Sequence, residues 1–118
     1  MDFKLPSLNK VFVAGNLLDN PESRVTSNGA RVTNFKVACN KRFRDSQGRM
    51  KDKTCYISVV TWNKLAETCN NVLKKGDGVF IDGELQNRQT SSDLEVLANK
   101  VEFLTKRNYS TKSEEQDE

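Results

Sequence analysis

The chain has 118 residues, 36% hydrophobic and 30% charged, and its 19 Lys and Arg against 16 Asp and Glu give a formal charge of +3. That size predicts one domain with one core, excludes a multidomain enzyme, and leaves no apolar run long enough for a membrane span or a secretory signal. Histidine is absent, which removes the commonest general base, the commonest zinc ligand and any Ser-His-Asp triad.

Residues 9–18, with Val11, Phe12 and Val13, predict a first strand that stops at the turn-forming Asp19-Asn20-Pro21. Next, Arg24-Val25-Thr26 and Arg31-Val32-Thr33 flank Asn28-Gly29, a pair that tolerates positive φ and so suits a tight hairpin turn. The second strand continues from this hairpin. Phe35, Val37 and Cys39 alternate with Asn34, Lys36 and Asn40, one row for the core and one for water. Residues 54–62 predict a third strand, with Cys55, Ile57, Val59 and Thr61 inward and Tyr56, Ser58, Val60 and Trp62 outward.

One helix follows, with Asn63 as its predicted N-cap and Leu65, Ala66, Cys69, Val72 and Leu73 along one stripe. Lys74 and Lys75 are expected at its negative end and Gly76 at a left-handed C-terminal cap. Residues 79–85 predict a fourth strand and 94–104 a fifth. In the fifth, the apolar phase shifts between Val96/Ala98 and Val101/Phe103, which predicts a bulge near Asn99-Lys100.

Three strands, a helix and two more strands predict an all-β chain with one helix: the OB-fold, a five-stranded Greek-key barrel with the helix between strands 3 and 4. A βαβ arrangement needs more helices than this chain has. The barrel domain is expected over residues 1–105, which carry +4, and a disordered polar tail over 106–118, which carries −1 and is too poor in apolar groups to offset the entropy of ordering.

Candidate chemistry is sparse. Cys39, Cys55 and Cys69 are odd in number and lack C-x-x-C spacing, so reduced thiols in the core are expected rather than a disulfide or a metal site. Asp82 and Glu84, two apart on a strand, read as a solvated face. No catalytic residue is assigned, and the chain is not expected to be an enzyme.

Binding is the stronger reading. Residues 41–53 hold six basic and two acidic side chains around Phe43, and Ser46-Gln47-Gly48 suggests a hairpin tip that projects them into solvent. A bare solvated loop is the plain alternative. Tyr56 and Trp62 share the outward row of the third strand, where exposed rings can stack the bases of single-stranded nucleic acid while Lys and Arg track phosphates. The same rings could instead close a secondary core or an oligomer contact. Duplex DNA would want a helix or ribbon shaped for a groove, and the one helix here is too amphipathic for that.

Several segments together carry a resemblance. They are Leu8-Asn9-Lys10-Val11-Phe12-Val13-Ala14-Gly15-Asn16-Leu17, Asn20-Pro21-Glu22 with Arg24, Asn28-Gly29, and Val59-Val60 followed by Trp62-Asn63-Lys64-Leu65-Ala66-Glu67; then Leu73-Lys74-Lys75-Gly76, Gly83-Glu84-Leu85 and Glu95-Val96-Leu97-Ala98. In this order, over residues 8–105, the chain resembles the bacterial single-stranded DNA-binding protein family. The resemblance implies binding and protection of single-stranded DNA, without sequence preference, in replication, recombination and repair. It implies no catalysis and no cofactor, a homotetramer with a dimer as the alternative, and a cytoplasmic, nucleoid-associated location in a bacterium.

By position, the family's base-stacking rings fall on Phe43, Tyr56 and Trp62, and its basic contacts on Lys10, Arg44, Lys64, Lys75 and Arg88. Two departures stand out. A further stacking position falls on or near Thr90, so one platform is expected to be missing. The acidic end, Glu114, Glu115, Asp117 and Glu118, lacks the family's Pro-Phe tip that recruits replication and repair proteins. The alternatives are a structural subunit of a primosome-like replication assembly, an RNA-binding OB-fold like a cold-shock protein, and a nuclease.

Overall fold

The computed structural model describes residues 5–105 and the backbone of Lys112–Ser113 and Glu115–Gln116. Its elements run β1 (Val11–Leu17), β2 (Glu22–Val25), β3 (Arg31–Arg44), β4 (Met50–Trp62), α1 (Asn63–Val72), β5 (Gly78–Asn87) and β6 (Leu94–Phe103). The strand order is β1-β5-β6-β4-β3-β2, and a further pairing of β1 with β3 closes five strands into a barrel, leaving β2 as an added edge. This is the predicted OB-fold, with the helix between the third and fourth barrel strands. Among the described residues, Lys112–Ser113 (β7) and Glu115–Gln116 (β8) pair with each other in a separate two-stranded sheet. The rest of the predicted tail at 106–118 lies outside the described residues.

Alternation builds the core as expected. Val13, Leu17, Phe35, Val37, Val59, Val79, Ile81, Val96, Ala98 and Val101 turn inward, and Cys69 and Leu73 close one end from the helix side. Burying each larger side chain contributes roughly 1.5–3 kcal/mol. Two buried hydroxyls are satisfied where the helix docks: Thr33 Oγ1 donates to the Ala66 carbonyl at 2.7 Å and Thr61 Oγ1 to the Thr33 carbonyl at 2.9 Å.

The predicted bulge is present. Asp82 faces Lys100 while Gly83 faces Ala98, so Asn99 is the extra residue, and Val96, Ala98 and Val101 are all buried despite their uneven spacing. At the barrel seam β1 comes so close to β3 that a Cβ on Gly15 would run into the Ala38 carbonyl.

Four local expectations are corrected. In the β2–β3 hairpin only Gly29 has positive φ (+86°); its N–H donates to the Thr26 carbonyl at 2.9 Å, and the Thr26 N–H donates to the Ala30 carbonyl at 2.8 Å. Asn63 is not a side-chain cap but the first helical residue, at φ +58°, a region that Asn tolerates better than most residues.

The helix ends at Leu73, whose N–H donates to the Cys69 carbonyl at 3.0 Å, so Lys74 and Lys75 lie beyond its last turn. Gly76, at φ +90°, belongs to the Lys74–Asp77 turn instead and donates its N–H to the Leu17 carbonyl at 2.9 Å. It ties that turn to the barrel rather than capping the helix.

The fourth correction concerns packing. Cys55 is exposed and Cys39 half-buried, because their row runs past the end of the barrel, and only Cys69 is a core thiol; all three are free. Val60, assigned outward, is 4% exposed because it lines a hollow that the β5–β6 connection walls in.

Candidate nucleic-acid interface

The basic segment 41–53 is strand on both sides of a tight turn. β3 and β4 stay in register from Val32↔Trp62 to Arg44↔Met50, well past the barrel, and so form a two-stranded arm. Asp45 Oδ1 shapes the tip by accepting the N–H groups of Gln47 and Arg49, both at 2.9 Å, and Gly48 turns the chain at φ +79°. Arg44 braces the same tip, its Nη1 donating to the Gly48 carbonyl at 2.9 Å.

The arm keeps much of its positive charge available. Arg42 lies 3.7 Å from Asp52, and Arg49 and Lys51 lie 3.6 and 3.8 Å from Asp45. The Arg42–Asp52 pair is exposed on both sides, so it is weak and yields to a stronger anion, whereas the Asp45 side chain is only 17% exposed. Lys41 and Lys53 face each other in register and make no ion pair among the described residues. Two like charges directly opposed on a ladder repel, so a phosphate between them would relieve the pair.

Register sorts the candidate residues by face. Arg24, Val32 and Trp62 stand abreast across β2, β3 and β4; along the same face follow Asn34 with Val60, Lys36 with Ser58, and Ala38 with Tyr56. Tyr56 is 63% exposed and Trp62 half-buried. The β5–β6 connection borders this face. Arg88 Nη2 donates to Ser58 Oγ at 2.6 Å, while Glu95, on β6, lies 3.8 Å from Arg88 Nε and accepts from Gln86 Nε2 at 2.9 Å.

Two hollows follow from this arrangement. One of about 380 Å³ is lined by Asn20, Lys36, Ser58, Arg88 and Glu95, and one of about 320 Å³ by Arg24, Trp62, Arg88 and Thr90. Thr90 therefore sits over the same hollow as Trp62.

Phe43 stands apart from the other two rings. It pairs with Lys51, on the opposite face of the ribbon from Tyr56, and lines a separate hollow of about 420 Å³ with Cys39, Lys41, Lys53 and Cys55. Arg44 shares the Tyr56 face but is at the tip. Lys64 is in the first turn of α1, two residues after Trp62, with its Nζ 3.3 Å from Glu67. Lys75 follows the helix; its N–H donates to Asn20 Oδ1 at 2.8 Å, which sets it beside the first hollow. Lys10 is elsewhere, ion-paired with Asp82 and 5.4 Å from the centroid of the Phe12 ring.

Lys36 and Arg24 are cations on the Trp62 face that sequence reading did not single out. Lys36 was legible, since it stands in the outward row that holds Asn34 and Asn40. Arg24 was not, because its neighbourhood with Trp62 depends on the register of β2 on β3.

Among the described residues no group of three or more His, Cys, Asp or Glu is placed to hold a metal ion. The arrangement is that of a surface for a linear, flat-based polyanion: two rings on one face, cations between and beside them, and shallow hollows rather than a deep pocket.

Comparison with known proteins agrees with this reading. Residues 8–109 match the Single-strand binding protein family. Single-stranded DNA-binding protein 2 of Chlorobaculum tepidum is 42% identical, over 95% of this chain and 81% of its own length. The single-stranded DNA-binding protein of Halalkalibacterium halodurans is 38% identical, over 85% of this chain and 62% of its own. In structure, the Plasmodium falciparum SSB complex with single-stranded DNA superposes with a TM-score of 0.76 at 25% identity, covering 87% of this chain and 100% of that one. A deletion mutant of the Thermus aquaticus single-stranded DNA binding protein gives 0.75 at 29% identity, over 85% of this chain and 52% of that one.

Proposed function

The chain belongs to the Single-strand binding protein family, and from that premise we propose that it binds and protects single-stranded DNA without sequence preference and without catalysis. The observation that carries the reading is the placement of Tyr56 and Trp62 on one face, beside Lys36, Arg24 and Arg88. Bases stack on the two rings and phosphates meet the cations. Lys64, Lys75 and Arg44 extend the phosphate track at its ends. Phe43 serves a strand that has passed around the arm to its other face. Lys10, held by Asp82, contributes only where DNA displaces that carboxylate.

The biological setting proposed is replication, recombination and repair in a bacterial cytoplasm, at the nucleoid. No helix among the described residues is long and apolar enough to cross a membrane. A homotetramer is the proposed assembly, with a dimer as the alternative. Its support is an apolar outer face on β1 and β5, where Phe12 is 62% exposed and stacks on Phe80 at 5.9 Å between centroids. β1 also pairs with β3 only at Asn16 and Leu17, so the edge of its first half is open to another strand.

The test is the salt dependence of binding to oligo-dT, with a matched RNA oligomer as competitor. Log affinity should fall against log salt by about 0.7 per phosphate neutralised, and DNA should displace RNA. Salt-insensitive binding would point to an aromatic face that contacts protein, and preference for RNA would move the function to RNA.

A further inference from the structure

We propose that Cys39 and Cys55 form a dithiol site that a hydroperoxide closes reversibly to an intramolecular disulfide, stapling the root of the β3–β4 arm. The two residues are direct partners in the register of the ribbon. Opposed residues on an antiparallel ladder have Cα atoms about 4.5 or 5.5 Å apart, depending on whether the pair is hydrogen-bonded. Both values fall inside the roughly 4.4–6.8 Å that a disulfide spans. Because they are partners, their side chains leave the same face, and both line the hollow that also holds Lys41, Phe43 and Lys53.

The two thiols are unequal in a way that assigns their roles. Cys55 is exposed, and is the sulfur that an oxidant meets first. Cys39 is half-buried, and its Sγ donates to the Ala14 carbonyl at 3.2 Å. Burial, and then the neighbouring Cys55, push the Cys39 thiol up, which suits it to resolve an oxidised partner rather than to react first. Lys41 and Lys53 are the next pair on the same face and line the same hollow.

The chemistry balances with a hydroperoxide as oxidant. The Cys55 thiolate attacks the terminal peroxide oxygen; an S–O bond forms, the O–O bond breaks, and the leaving oxygen departs as water or an alcohol after protonation. The Cys39 thiolate then attacks the Cys55 sulfur. The S–S bond forms, the S–O bond breaks, and hydroxide leaves as water after taking up the Cys39 proton. Two thiols have lost two electrons in total and the peroxide has gained them; a small dithiol reverses the step. Closure breaks the Cys39 contact to Ala14 and fixes the two strands on either side of residues 40–54. The site does not depend on the chain binding DNA.

Treating the reduced protein with hydrogen peroxide, alkylating it and digesting it with trypsin without reductant tests the proposal. Trypsin cuts after Lys36, Lys41, Lys53 and Lys64, so the site predicts a linked pair of peptides, residues 37–41 joined to 54–64, which dithiothreitol separates. Cys39→Ser and Cys55→Ser should each abolish the linked pair. Amide exchange over residues 40–54 should slow in the oxidised protein. Cys55 joined to Cys55 of a second copy, Cys55 over-oxidised while Cys39 is still alkylated, or unchanged exchange in a protein carrying the link would each overturn it.

Discussion

Arg88 reaches across from the β5–β6 connection to donate to Ser58 Oγ at 2.6 Å, and so lies flat on the face that carries Tyr56 and Trp62. Glu95, with its side chain 13% exposed, holds the guanidinium from the other side at 3.8 Å. A carboxylate inside a groove for phosphates lowers affinity unless it earns its place by positioning a cation. Arg88→Ala should weaken oligo-dT binding and lower the salt slope by about 0.7. Glu95→Gln, which keeps an acceptor for Gln86, should tighten binding at low salt and raise the slope. Titrations at several salt concentrations check both signs.

The opposed placement of the rings predicts a length dependence. Tyr56→Ala and Trp62→Ala should each cost roughly 1–3 kcal/mol with any sequence, for short and long oligo-dT alike. Phe43→Ala should leave the shortest binding oligomer unaffected and weaken only those long enough to round the arm. Equal losses from all three variants on the shortest oligomer would place the rings on one continuous path.

Lys64 projects from the helix with its side chain 88% exposed and, among the described residues, only Glu67 for a side-chain partner. Its removal should change ionic behaviour more than stacking: Lys64→Ala lowers the salt slope while Trp62 quenching at saturation is retained. An unchanged slope would remove Lys64 from the phosphate track.

At the barrel seam the prediction concerns stability. A Gly15→Ala methyl would meet the Ala38 carbonyl, a backbone atom that cannot swing aside. Overpacking of this kind costs typically about 1–3 kcal/mol, which urea unfolding would register as a lower midpoint with unchanged slope. A midpoint equal to the parent's would mean that β1 and β3 separate at little cost.

Most of the barrel was legible because its strands alternate cleanly. The phase slip from Ala98 to Val101 even placed a bulge near Asn99-Lys100, since only an inserted residue puts both on the inner face; the register shows that residue to be Asn99. Alternation gives the row a residue belongs to, but not whether anything covers that row. Cys55 and Val59 share a row, yet Cys55 is exposed where the ribbon outruns the barrel, and Val60 is buried on the opposite row by a connection distant in sequence. The same limit hid the relation of Phe43 to Tyr56. They stand on opposite rows only because β3 and β4 hold one unbroken register through the basic segment, and that is a property of the pair, not of either strand alone. Asn63 and Gly76 have the residue types of caps; packing of the Lys74–Asp77 turn on Leu17 gave the glycine a different task.

The central claim, that Trp62 lies on a base-stacking face, is tested most directly by its own fluorescence, since it is the single tryptophan of the chain. Titration with oligo-dT at low and high salt should quench the emission strongly and saturably, with the binding curve shifting to weaker affinity as salt rises. An emission that stays constant at both salt concentrations, while the protein is folded, would contradict the account and assign Trp62 to a protein contact.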